Sequence, residues 1–110
     1  VGYGHTFKTK RITRLAVVGI GYADGVSRGL SGKICALHKG NYLPQVGSIA
    51  MDQLVLDITE NPEIQVGEIV TLLGTDGDAS INTRTWSDIS GSIPWEVLCG
   101  FKHRLPRVVV

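Results

Sequence analysis

Short apolar runs, each broken by glycine, proline or a polar turn, recur along the chain. RITRLAVVGIGY predicts a strand in which Leu15, Val17 and Ile20 are bulky or branched and glycines end the run. KICALH predicts a second, with Ile34, Ala36 and His38 on one face and Cys35 and Leu37 on the other. Lys39-Gly40-Asn41 reads as a turn, and YLPQVG as a third strand with Pro44 at an edge or bulge. SIAMDQLVLDI alternates Ile49, Met51, Gln53, Val55 and Asp57 against Ala50, Asp52, Leu54, Leu56 and Ile58. The second set is apolar from Leu54 onward, the mark of a half-buried strand. NPEIQVGE predicts a turn, EIVTLLG another strand, and Asp76-Gly77-Asp78 a tight connection.

The period then changes. Trp86, Ile89 and Ile93 fall at helical intervals, Gly91 stops a first short helix, and Ser92 is placed to cap a second. Pro94 falls in the opening turn of that second helix, where its missing N–H is harmless. Trp95, Val97 and Leu98 follow, with Gly100 as the end, and PRVVV closes the chain as a strand. The expected fold is mainly β: one antiparallel barrel or sandwich-like domain over residues 1–110, with a short helical insert near residues 84–99.

Composition narrows the possible functions. The chain has 110 residues, 43% of them apolar, enough for a single core. Eleven basic residues stand against ten acidic ones, so the net field favours neither nucleic acid nor membrane. The longest apolar run, Leu15 to Val18, is too short to span a bilayer, and the polar, glycine-rich start does not resemble a signal peptide. Cys35 and Cys99 are widely separated and fit free, buried thiols in a reducing, cytoplasmic setting.

Few motifs carry chemistry by spacing alone. GIGYADG follows a strand, but Gly19, Gly21 and Gly25 are spaced one residue too long for a dinucleotide fingerprint, and no helical pattern follows. A tight bend exposing Tyr22, with Asp24 tying down the turn and Arg28 on the same loop, fits better. TDGDAS lacks the glycine and distal glutamate of a calcium loop. His5, His38 and His103 are isolated, giving no metal set, and KHRLPR near the end reads as a local basic cluster on a solvated or salt-bridged surface. VGYGHTFKTK puts Tyr3 between two glycines, presenting its phenol bare on a bent backbone.

Four segments together, VGYGHTF, VGIGYADGVSR, QVGSIAMDQ and SIPWEVLCGFKHRLPR, resemble the C-terminal β domain of alanine racemase. That family comprises pyridoxal-phosphate-dependent enzymes that interconvert L- and D-alanine for peptidoglycan precursors. The resemblance spans essentially the whole chain. It implies an N-terminal (β/α)8 barrel not present here, which carries the cofactor on a lysine, and a homodimer whose active sites form between one protomer's barrel and its partner's β domain. It implies that Tyr3 is one of two catalytic bases, taking the α-proton from cofactor-bound L-alanine while the barrel lysine serves the opposite face. Two bases on opposite faces are what inversion at one carbon requires.

The resemblance further implies that the backbone N–H of Met51 contacts the substrate carboxylate, and that Tyr22, Asp24 and Arg28 line the substrate entrance. Trp95 stands where many members have a tyrosine that reaches the cofactor phosphate, and an indole N–H donates one hydrogen bond but accepts none. Ser48 replaces an arginine common in the family. These two departures keep a racemase for serine or another small amino acid open. From a different class, a stand-alone β-barrel binding or dimerisation module displaying Tyr3 and Tyr22 is the rival. In isolation the domain is expected to be inert.

Overall fold

The alternation from Leu54 to Ile58 becomes the centre of a four-stranded antiparallel sheet. A computed structural model describes residues 13–91 together with Val97, Gly100 and Phe101. The strands are β1 (Leu15–Val18), β2 (Cys35–His38), β3 (Asn41–Val46) and β4 (Leu54–Asp57), followed by β5 (Gly74–Asp76), β6 (Ala79–Ile81) and helix α1 (Thr83–Ser90). The spatial order is β1-β4-β3-β2, with a separate β5–β6 pair. β4 pairs with β1 on one side, Leu54 opposite Val18, and with β3 on the other, Leu56 opposite Gln45. Leu54, Leu56 and Ile58 are buried as the alternation predicts, while Val55 and Asp57 are half-buried. Each such apolar burial contributes about 1.5–3 kcal/mol.

The β2–β3 connection is tighter than the sequence suggested. His38 lies opposite Asn41, so only Lys39 and Gly40 form the turn, at φ 48° and 82°. Two left-handed residues match the twist of a two-residue hairpin. Pro44 lies opposite Cys35, next to Gln45, whose N–H donates to Ile34 O at 2.9 Å. The ladder alternates, so position 44 needs no donor toward β2. On the other side the pairing with β4 covers only Gln45 and Val46. Proline therefore costs the sheet nothing there.

EIVTLLG does not form the expected strand. Ile69 is 84% exposed, and Thr71 alone bridges to Leu37 by a pair of hydrogen bonds of 2.7 and 2.9 Å. Pairing resumes only at Gly74, where the short β5–β6 hairpin begins. β-forming composition without a continuous ladder leaves an irregular strap. The strands expected around RITRLAVVGIGY and SIAMDQLVLDI are likewise shorter, because both chains bend at the segments described below.

α1 begins at Thr83 because the Asn82 side chain accepts the Thr85 N–H at 3.0 Å, and it stops at Gly91. Its Trp86 is 1% exposed within the core that includes Leu30, Leu37, Ile49 and Ile81, with the Phe101 ring 6.2 Å away. Among the described residues the fold is thus mainly β with a short helical insert, as read from the sequence, its strands forming a four-stranded antiparallel sheet and a separate two-stranded pair. Ser92, Pro94, Trp95 and Leu98 of the second helix, and the closing PRVVV, lie outside the described residues. Cys35 is free and half-buried rather than fully buried, and burial pushes its thiol pKa up. Cys99 lies outside the described residues. Among the described residues no helix is long and apolar enough to cross a membrane.

His38, read as isolated in sequence, is 2% exposed and its Nε2 lies 2.8 Å from Glu68 Oε1. Glu68 also accepts the Gln65 N–H at 2.6 Å. That backbone donor, then His38, then the nearby positive charges of His38 and Lys39, hold the Glu68 carboxyl below its ordinary value of 4.5. A carboxyl lowered by folding stabilises the fold above its unfolded pKa, and that stability is lost as pH falls through the folded pKa. Glu68→Gln should therefore lower stability near neutrality and flatten the loss of stability on acidification. Urea unfolding midpoints from about pH 3 to 7 measure this; an acid limb as steep as wild type would contradict it.

Candidate functional site

Gly21 is where two distant segments meet. The N–H groups of Tyr22 and Ala23 donate to the carbonyls of Ala50 and Met51, both at 2.9 Å. The backbones approach so closely that a Cβ at Gly21 would lie 2.2 Å from the Ala50 oxygen and 2.7 Å from the Met51 carbonyl. Only glycine permits that approach. The bend predicted from GYADG is a 3-10 turn, Tyr22–Asp24. Asp24 is 1% exposed, and its Oδ2 accepts the Gly21 N–H at 3.1 Å. Its carboxylate builds the turn from inside.

Tyr22 is partly exposed on the outer side of this turn. A second 3-10 turn, Arg28–Leu30, carries the exposed Arg28, whose guanidinium carbon lies 5.9 Å from the centre of the Tyr22 ring. At that range a cation is attracted by the face of the ring, so the two side chains support each other's placement.

The Met51 side chain is 49% exposed at a bend. The peptide joining Ala50 to Met51 is trans, so its C=O and N–H point in opposite directions. Its oxygen is held by Tyr22, which turns the Met51 N–H away from the bend. Among the described residues nothing accepts that N–H. A peptide donor held by its own oxygen and left open on the other side suits a carboxylate.

Met51, Tyr22, Asp24 and Arg28 are therefore brought into one patch, although Arg28 and Met51 are 23 positions apart in the numbering. Ser48 lies half-buried just before the Met51 segment. Tyr3 and Trp95 lie outside the described residues. Among the described residues no three His, Cys, Asp or Glu side chains gather as a metal set. Two recesses, a 440 Å³ groove between β1 and residues 64–70 and a 270 Å³ recess beside Cys35 and Trp86, lie away from the patch.

Sequence reasoning missed Ser31 and Gln45. Gln45 occupies the buried phase of β3, 2% exposed, where an apolar residue belongs. Its side chain accepts the Gly32 N–H at 2.6 Å and donates to the carbonyls of Val46 and Gly47. A polar residue in an apolar phase was the available signal. Ser31 gave none.

The family model described as alanine racemase, C-terminal domain, matches residues 1–109. An alanine racemase of Prochlorococcus marinus is 69% identical over all 110 residues, and one of Nostoc is 56% identical over the same length. The chain spans 28% of each of these curated relatives. A crystal structure of alanine racemase from Bartonella henselae with covalently bound pyridoxal phosphate superposes with a TM-score of 0.91 at 36% identity. It covers all of this chain and 30% of that one.

Proposed function

Because the chain belongs to the family of alanine racemase C-terminal domains, we propose that it is the β-domain part of an enzyme that interconverts L- and D-alanine for cell-wall precursors. Family membership supplies the reaction. The observation that carries this chain's share of it is the Ala50–Met51 peptide, gripped through its oxygen while its N–H has no acceptor among the described residues.

In this reading the Met51 N–H binds the substrate carboxylate. Tyr22 and Arg28 narrow the approach to small amino acids, and Asp24 acts through the turn it holds. Tyr3 removes the α-proton of L-alanine at its phenolate oxygen and returns it in the reverse direction. A free phenol titrates near 10, so Tyr3 needs positive neighbours or donors to act near neutrality, and these come from the rest of the enzyme. A lysine outside this chain serves the opposite face. The partner protomer's barrel completes the site in a homodimer.

The donor chemistry on this chain fits a substrate carried on pyridoxal phosphate: one open peptide N–H suits one carboxylate. The cofactor's phosphate falls to Trp95 and to the part of the enzyme beyond this chain. When bound, the cofactor acidifies the substrate Cα–H by spreading the developing charge into its ring. Everything else asked of these residues is orientation and proton transfer.

The direct test is racemisation of L-alanine by the full-length, cofactor-loaded enzyme, followed by circular dichroism of the amino acid. No cofactor-dependent D-alanine would overturn the reading. A finer test is Met51→Ala, which keeps the N–H and changes only an exposed side chain. KM for L-alanine should stay within about threefold of wild type. A much larger rise would mean that the thioether, not the peptide, makes the contact.

A further inference from the structure

Ser31 joins parts of the patch that are distant in sequence. Its hydroxyl donates to the Arg28 carbonyl at 2.6 Å and accepts the Ile49 N–H at 2.8 Å. The first partner belongs to the turn carrying Arg28; the second lies two residues before Met51. Ile49 is fully buried, so its N–H has no water to turn to when that oxygen is removed. Gln45 makes a parallel tie from Gly32 to Val46 and Gly47, but only the Ser31 tie ends on the Met51 segment itself. On the far side of that segment, the N–H groups of Tyr22 and Ala23 hold the Ala50 and Met51 carbonyls. The segment that carries the Ala50–Met51 peptide is thus tied on both sides, to Ser31 through the Ile49 N–H and to the Tyr22 turn through the Ala50 and Met51 carbonyls, and the direction of the Met51 N–H depends on both ties.

The geometry points to Ser31 as a positioning residue for the substrate carboxylate: its shared hydroxyl keeps the Arg28 turn and the Met51 N–H in one fixed relation. This rests on the function proposed above and extends it to a side chain that touches no reacting group. A carboxylate contact is made alike in the ground state and the transition state. Its misplacement therefore appears in KM rather than in kcat.

The test compares Ser31→Ala and Ser31→Thr in the full-length, cofactor-loaded enzyme. Ser31→Thr keeps the hydroxyl on a backbone, φ −55° and ψ 126°, that a β-branched residue accepts. For Ser31→Ala the KM for L-alanine should rise about three- to tenfold with kcat within about twofold of wild type. Amide hydrogen exchange in the peptide containing Ile49 and Met51 should quicken, and Ser31→Thr should restore both readouts. An unchanged KM, a loss confined to kcat, or a threonine variant as impaired as alanine overturns the inference and leaves the proposed function standing. If Ser31→Ala does not fold, Ser31→Cys, close in volume but a weak hydrogen-bond former, takes its place under the same expectations. A wild-type enzyme unable to racemise alanine overturns the functional reading and this inference together.

Discussion

Tyr3→Phe in the assembled enzyme should reduce racemisation by about 10²- to 10⁴-fold, the usual contribution of one positioned acid–base group. The loss should be one-sided. In deuterated water the α-proton of L-alanine should no longer exchange, because in the proposed mechanism Tyr3 is the base on that face. The α-proton of D-alanine should still exchange, because the proposed mechanism puts the opposite base outside this chain. A structural role for the ring would slow both exchanges together. Removing one hydroxyl leaves the aromatic volume intact, so the thermal midpoint should hardly move. Exchange from the L side at the wild-type rate would show that Tyr3 is not the base.

Gly21→Ala should be the most damaging small substitution in the described site. The φ at Gly21 is −155°, which any residue adopts, so the penalty is contact rather than backbone conformation. The new methyl would fall 2.2 Å from the Ala50 oxygen and force the two segments apart. Separation breaks the hydrogen bonds from Tyr22 and Ala23 and releases the peptide that presents the Met51 N–H. Overpacking of this kind costs about 1–3 kcal/mol, and each lost bond adds about 1 kcal/mol. Chemical denaturation should show a loss of about 2 kcal/mol or more, and the folded fraction should bind L-alanine at least about tenfold more weakly. Gly19 is the control: a Cβ there meets nothing within 4 Å, so Gly19→Ala should shift stability by less than about 0.5 kcal/mol. Equal effects at the two glycines would mean that the close approach has no consequence.

The parts legible in sequence are those fixed by local pattern. Leu54, Leu56 and Ile58 alternate strictly, and their strand sits between two others with that face buried. The stop at Gly91 and the bend at GYADG follow from turn chemistry within a few residues. EIVTLLG misled because apolar, branched composition is not a ladder: Ile69 stays exposed, and before Gly74 only Thr71 finds a strand partner. The start of α1 was not legible, since its cap depends on the Asn82 side-chain oxygen reaching the Thr85 N–H.

The site was legible as motifs but not as geometry. Nothing in GYADG or SIAMDQ says that the two backbones touch, because that contact is set by how β1 and β4 pair. Asp24, which the family resemblance set among the entrance residues, is turned inward to hold Gly21. Ser31 and Gln45 act through partners 18 and 13 positions away, and His38 through Glu68, 30 positions on. Such ties leave no periodic trace in the chain. Gln45 in β3, and His38 on the face it shares with Ile34 and Ala36, broke patterns that could be read.

The central claim is that this chain delivers a base and a carboxylate-binding N–H to a cofactor held by another part of the enzyme. A crystal structure of the full-length dimer with cofactor and a non-reactive alanine analogue tests it most directly. The account predicts the analogue's carboxylate within hydrogen-bond distance of the Met51 N–H, about 2.7–3.2 Å, and the Tyr3 hydroxyl facing its Cα from the side opposite the cofactor-bearing lysine. A Tyr3 hydroxyl turned into solvent, or a carboxylate bound away from the Ala50–Met51 peptide, would contradict it.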